Sequence, residues 1–144
     1  MKRILLFGFL ITSVLCFKTK KTADLKITIQ GIEEEKGEIC VALFGKKQEP
    51  AFPENINNLY KYKIVNASPR GVYVEFTNLP FGTYAYSIVQ DFNGNRFTDK
   101  NFVGYPTEPY GFSTNYKPLF SAPDFEDCDF VLDGDLEHTI TLIQ

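Results

Sequence analysis

Residues 72–91 read VYVEFTNLPFGTYAYSIVQD. Val72, Val74 and Phe76 alternate with Tyr73, Glu75 and Thr77, the period of a strand that buries one face. LPFG (79–82) then interrupts the run with proline and glycine, the residues of a turn. TYAYSIVQD (83–91) resumes in aromatic and β-branched residues that suit a second strand.

The same grammar extends in both directions. Upstream, LKITIQGI (25–32) sets Leu25, Ile27 and Ile29 against Lys26, Thr28 and Gln30, again a strand with one buried face. EEEKGE turns the chain into EICVALF (38–44), whose nearly continuous apolar run marks a central strand. GKKQEPAFPENINN, with two prolines, reads as a loop with one helical turn, and YKYKIVNA (60–67) as a third strand before the SPRG turn. Downstream, CDFVLDG (128–134) and HTITLIQ (138–144) supply two more strands. No helical period runs through a stretch long enough for a substantial helix. The spacing predicts an all-β fold, an antiparallel seven-stranded β-sandwich.

Between the last strands, residues 91–127 contain no convincing strand. Such a long structureless loop is uncommon unless it is internally ordered or functional. This one carries Phe92, Phe97, Phe102, Tyr105, Tyr110 and Phe112, with further aromatics beyond, and disorder goes with low hydrophobicity. It is expected to form an ordered aromatic flap over one edge or end of the sandwich.

The N-terminal residues have the look of a targeting segment. Lys2 and Arg3 precede an apolar run from Ile4 to Phe17, shorter than the roughly 20 residues of a membrane span. Residues 1–23 are therefore expected to be a signal peptide and short polar linker, and 24–144 a single β-sandwich domain. SVLC (13–16) loosely resembles a lipoprotein cleavage box with Cys16 as the lipidated residue, although bulky Leu15 stands where a small residue is wanted. The expectation is export, to the periplasm, the outer membrane or the medium, with membrane attachment only through this segment.

Without residues 1–23 the chain keeps 10 basic and 18 acidic residues, a net charge of −8, which repels phosphate backbones. Nucleic acid is excluded as an expected partner. Cys40 and Cys128 lie in separate strand patterns and are expected as two packed thiols rather than a disulfide.

DFNGNRFTDKN (91–101) is the sharpest polar motif. Asp91, Asn93, Asn95 and Asp99 occupy the first, third, fifth and ninth positions of a calcium-loop pattern, and Phe97 offers a carbonyl at the seventh. Two features depart from that pattern: Arg96 stands at the sixth position, where glycine is expected, and Phe102 at the twelfth, where a glutamate is. Glu108, Asp124, Glu126 or Asp127 would have to fold back to complete the site. Turn chemistry explains the same residues without a metal, since Asn-Gly favours tight turns and Asp and Asn side chains cap their own backbone. Tyr105, Tyr110, Phe112 and Tyr116 suggest a sugar- or peptide-binding surface, or rings that pin the flap to the sandwich.

Catalytic patterns are sparse. His138 is the sole histidine and is expected as a surface strand residue. There is no G-x-S-x-G elbow and no phosphate-cradling glycine loop. Paired carboxylates such as Glu126 and Asp127 leave a small hydrolase as the rival reading.

VALF (41–44), LPFGTYAYSIVQD (79–91), DFNGNRFTDKNFVG (91–104), EPYGFS (108–113) and APDFEDCDFVL (122–132) occur in an order that resembles a family of exported bacterial domains of unknown function. The resemblance spans residues 25–144. The Leu-Pro-x-Gly-x-Tyr pattern within LPFGTY is also similar to the start of a strand in transthyretin-like and carboxypeptidase-regulatory sandwiches. These likenesses imply export and a prealbumin-like or immunoglobulin-like sandwich, and they imply no activity. The expected function is a non-enzymatic module for binding or structural interaction with a protein or glycan at the cell envelope, with the flap as its working surface and calcium as the one cofactor suggested.

Overall fold

Eight strands arise where the alternation and turn signals place them, with one addition. The computed structural model describes residues 21–144; the expected signal peptide and Cys16 lie outside the described residues. The strands are β1 (Thr22–Gln30), β2 (Glu38–Gly45), β3 (Lys61–Asn66), β4 (Val72–Pro80), β5 (Gly82–Asp91), β6 (Tyr110–Phe112), β7 (Phe130–Leu132) and β8 (Leu136–Thr141). Thr22 and Ala23, read above as linker, open β1, and Ala23 is buried opposite Leu79.

The strands form two sheets. The first has the order β4-β1-β8 and the second β3-β2-β5-β6, with β7 also pairing with β5. β5 is long enough to serve two short strands along one edge, with Val89 opposite Tyr110 and Tyr84 opposite Phe130. The expected all-antiparallel arrangement is corrected: β1 and β8 run parallel, from Leu25 opposite Leu136 to Gln30 opposite Thr141. The expected count of seven is corrected to eight by β6, a strand of three residues centred on Gly111 that carries no alternation to read. Gly111 lets β6 pack closely there, since a Cβ would sit 3.1 Å from Ile140 Cγ2 and 3.3 Å from Leu142 Cδ2 and those side chains would have to give way.

The main core lies between the sheets. Leu25, Ile27, Ile29, Val74 and Phe76 face Ile39, Val41, Leu43, Tyr86 and Ile88 across it. Each such side chain contributes about 1.5–3 kcal/mol through burial. A second cluster covers the outer face of the five-stranded sheet. Ala42, Phe44 and Ala85 pack under Phe112, Phe125 and Phe52. The Phe52 ring stands edge-on to Phe44 at 5.4 Å and to Phe125 at 5.9 Å. β2 is therefore apolar throughout because both its faces are covered, as its sequence implied.

Two further expectations change. Cys128 does not begin a strand; it ends a helical turn, α1 (Phe125–Cys128), whose start is fixed by the Asp124 N–H donating to Asp127 Oδ2 at 3.0 Å. His138 is not a surface residue but half-buried, with Nδ1 2.8 Å from the hydroxyl of fully buried Tyr86 and its ring 4.8 Å from that of Phe130. Burial lowers its pKa from the ordinary 6.5. Cys40 and Cys128 are each buried and free. Among the described residues no helix is long and apolar enough to cross a membrane.

Candidate functional site

The site begins at the end of β5. Asp91 is fully buried there, and Gly37 lies directly against its backbone: a Cβ at Gly37 would come within 2.0 Å of the Asp91 carbonyl oxygen, and the φ of Gly37 is +69°. The neighbouring Gln90 donates through Nε2 to the carbonyls of Glu34 and Lys36, both at 2.9 Å, and so ties the preceding turn to β5.

The Asp91 carboxylate points into the loop that follows. Oδ1 accepts from the N–H of Asn93 at 3.2 Å and of Gly94 at 2.7 Å, and Oδ2 accepts from that of Arg96 at 2.7 Å. Asn93 and Asn95 repeat the device, accepting from Asn95 N–H and Phe97 N–H through their own side-chain oxygens. Their amide groups then turn to Asp99: Asn93 Nδ2 lies 2.6 Å from Oδ2 and Asn95 Nδ2 2.9 Å from Oδ1. Glu108, also buried, clasps both ends of the loop by accepting from Phe92 N–H at 2.8 Å and Asp99 N–H at 3.1 Å.

Asp91, Asn93, Asn95 and Asp99 are thus brought together, and Glu108 does fold back beneath them. Asp124, Glu126 and Asp127 do not join: Asp127 starts α1 and Glu126 pairs with Lys46 at 2.8 Å. Among the described residues no three His, Cys, Asp or Glu side chains form a group suited to a metal ion. The loop oxygens are occupied by the loop's own amides, so a cation there requires the Asn93 and Asn95 amides to rotate away from Asp99. The sixth-position departure resolves in an unexpected way. Arg96 adopts φ 65°, the left-handed conformation that glycine would take there.

The loop and the 118–122 segment arch over the outer face of the five-stranded sheet and enclose a cavity of about 340 Å³. Its floor is Cys40 and Ala42 of β2, Tyr62 of β3, and Ser87 and Val89 of β5. Arg96, Phe97, Val103 and Tyr105 form one wall, Leu119 and Phe120 another, and Phe112 lies deeper. Phe97, Val103, Tyr105, Leu119 and Phe120 all keep large apolar surface exposed at the mouth, Phe120 almost completely. At the rim Lys100 pairs with Glu54 at 2.5 Å.

The four aromatics expected to form a ligand surface divide. Tyr110 and Phe112 are buried in β6 and Tyr116 packs against the same outer cluster, so these three pin the flap. Tyr110 and Phe112 still show part of their surface to the cavity. Tyr105 stands at its mouth, half exposed, its hydroxyl 3.3 Å from that of Tyr110. The burial that shields Tyr110, together with its bond to Tyr105, pushes its pKa up to about 12. EPYGFS is explained in the same terms. Its Glu108 holds the loop, and its buried Ser113 accepts from Tyr86 N–H at 3.0 Å and donates to the Cys128 carbonyl at 2.6 Å, joining β5 to α1.

Residues 27–141 match the model of the family described as "Uncharacterized protein conserved in bacteria (DUF2141)". The chain belongs to the DUF2141 family. No curated protein and no solved structure matches it. The segments that suggested a bacterial domain of unknown function therefore lie within a DUF2141 domain, and the structure shows that several of them are ties holding the flap.

Cys40, Tyr62, Ser87, Leu119 and Phe120 were not singled out from the DUF2141 sequence as site residues. They come from three strands and a distant segment, and nothing local marks them. Arg96 did carry a signal, as a large charged residue at the turn position of the Asp/Asn loop.

Proposed function

We propose that this DUF2141 domain is an exported, non-enzymatic binding module of the cell envelope whose cavity beneath the flap takes a small, largely apolar ligand. The observation that carries this reading is the cavity itself, about 340 Å³ and bounded by aromatic and aliphatic side chains that remain exposed at its mouth. Its size and lining are those of small-molecule sites, which run from about 300 to 1,000 Å³. Apolar surface left uncovered around a concave site favours a binding role. The buried flap carboxylates Asp91 and Glu108 are engaged by backbone N–H groups, which favours binding over hydrolysis. A glycan or peptide would meet the cavity at Tyr105.

The test is uptake of the neutral fluorescent reporter N-phenyl-1-naphthylamine by the protein expressed from its complete coding sequence. Saturable uptake is expected, lost when Val89→Trp fills the floor. Non-saturable fluorescence, or uptake indifferent to Val89→Trp, rejects the reading.

A second reading is favoured by the gathering of Asp91, Asn93, Asn95 and Asp99 and by the left-handed Arg96. On this reading calcium orders the loop, held by the two carboxylates and the reoriented amide oxygens, with Phe97 contributing its carbonyl. Calorimetric titration with calcium chloride is expected to show binding and a raised melting temperature. No shift at millimolar calcium removes this reading without touching the first.

A further inference from the structure

Apart from Arg96, the charged groups lining the cavity, and several of its hydroxyls, already have partners. Lys100 is paired with Glu54, the Tyr105 and Tyr110 hydroxyls meet each other, and Ser87 Oγ donates to the Pro53 carbonyl at 2.7 Å. Arg96 differs. Among the described residues its guanidinium makes no ion pair, in a chain that carries 18 acidic residues. The two loop carboxylates nearest in sequence are engaged by N–H groups other than the guanidinium: Asp91 by the backbone of Gly94 and of Arg96 itself, Asp99 by the Asn93 and Asn95 amides.

Two observations place this cation at the cavity by more than chance. The Arg96 backbone is held in the left-handed region by the bond from its N–H to Asp91 Oδ2, a conformation that any side chain with a Cβ adopts at a cost. The cation also lies against the cavity floor, whose lining it shares with Cys40 and Tyr62: burial chiefly pushes up the pKa of both, the buried Asp91 carboxylate adds to each shift and Arg96 opposes it.

Resting on the binding role given above, we propose that the cavity selects an amphipathic anion, with an aliphatic chain or aromatic body seated against Ala42, Val89 and Phe97 and a single carboxylate-type head paired with Arg96. The guanidinium offers a planar fork of N–H donors that matches a carboxylate in two parallel bonds. The mouth of the cavity lets the head remain near water while the body is covered, the division of surface that an amphiphile requires. The net negative charge of the rest of the chain opposes anions elsewhere, so a local cation supplies discrimination rather than general attraction.

The experiment displaces N-phenyl-1-naphthylamine with decanoate and decyltrimethylammonium, each below its micelle concentration, and with 1-decanol below its solubility limit. Decanoate is expected to displace the reporter at a concentration about tenfold lower than 1-decanol, with the cation weakest. In Arg96→Gly the ratio between decanoate and 1-decanol is expected to fall from about ten to about one. This variant relieves the left-handed backbone, so a folded protein is expected, and melting checks it. Equal displacement by decanoate and 1-decanol, or a ratio unchanged in Arg96→Gly, overturns the selectivity while the cavity stands. No reporter uptake at all rejects the binding role first. Native mass spectrometry showing a dimer that releases the reporter on association overturns the proposal in favour of a second copy as occupant.

Discussion

Replacing Asp91 by Asn changes one oxygen of a fully buried carboxylate into an N–H₂ group and leaves its shape intact. The remaining oxygen keeps the bonds from Asn93 and Gly94, because Oδ1 receives both, at 3.2 and 2.7 Å. The new N–H₂ then faces the Arg96 N–H, which now donates to Oδ2 at 2.7 Å. A hydrogen bond to a charged group contributes about 1.5–3 kcal/mol and one to a neutral group about 1. One charged bond is lost and two become neutral, which at the lower end of that range gives about 2.5 kcal/mol. Arg96 and Gly94 are exposed, so water recovers part of this and about 2 kcal/mol is expected. For a domain of this size that lowers the melting temperature by about 6–10 °C. Urea denaturation gives the free energy directly, and amide exchange locates it. Exchange at Arg96 is expected to accelerate at least about tenfold, because the loop opens without global unfolding. A midpoint within about 0.3 kcal/mol of the parent, with Arg96 exchange unchanged, would refute the view that this carboxylate shapes the loop.

Three other outcomes are expected. Gly37→Ala meets the Asp91 carbonyl at 2.0 Å in a left-handed turn, so the unfolding free energy from urea denaturation falls by more than about 3 kcal/mol, or soluble yield is lost. His138 has its pKa lowered by burial, so below about 6.5 the unfolded chain binds the proton first; stability is lost as pH falls from there through the folded value, and His138→Gln flattens that slope in melts at pH 7 and pH 5.5. The Cys128 thiol is pushed up to about 12, chiefly by burial with Asp127 and Asp129 adding, and Cys40 is raised likewise; maleimide labelling read by peptide mapping is therefore slow at both in the native protein and complete in urea.

Much of the sandwich could be read from its strands because alternation reports burial directly. The Ile27 and Phe76 faces are where the pattern puts them, and β2 is covered on both sides as its apolar run requires. β6 was hidden because Tyr110, Gly111 and Phe112 are all buried, two toward the flap side and the glycine toward Ile140, so no polar residue marks an outer face. The parallel partner of β1 was hidden for a different reason: pairing between strands so far apart in sequence leaves no local trace. His138 misled because its polar character is satisfied by a buried hydroxyl rather than by water. The Asp/Asn loop was legible as a unit, but the cavity beneath it depends on strands, flap and the 118–122 segment meeting in space.

The parallel pairing of β1 with β8 bears on how the polypeptide folds as it is made. A chain that emerges from a ribosome delivers Leu25, Ile27 and Ile29 well before Ile140 arrives to flank them. β4 can dock against β1 in the meantime, yet the opposite side of that ribbon stays unpaired. Contacts so remote in sequence form slowly, since the intervening loop must close first. The β4-β1-β8 sheet is therefore completed only when residues 136–141 pair alongside β1, at the very end of the chain's order of arrival.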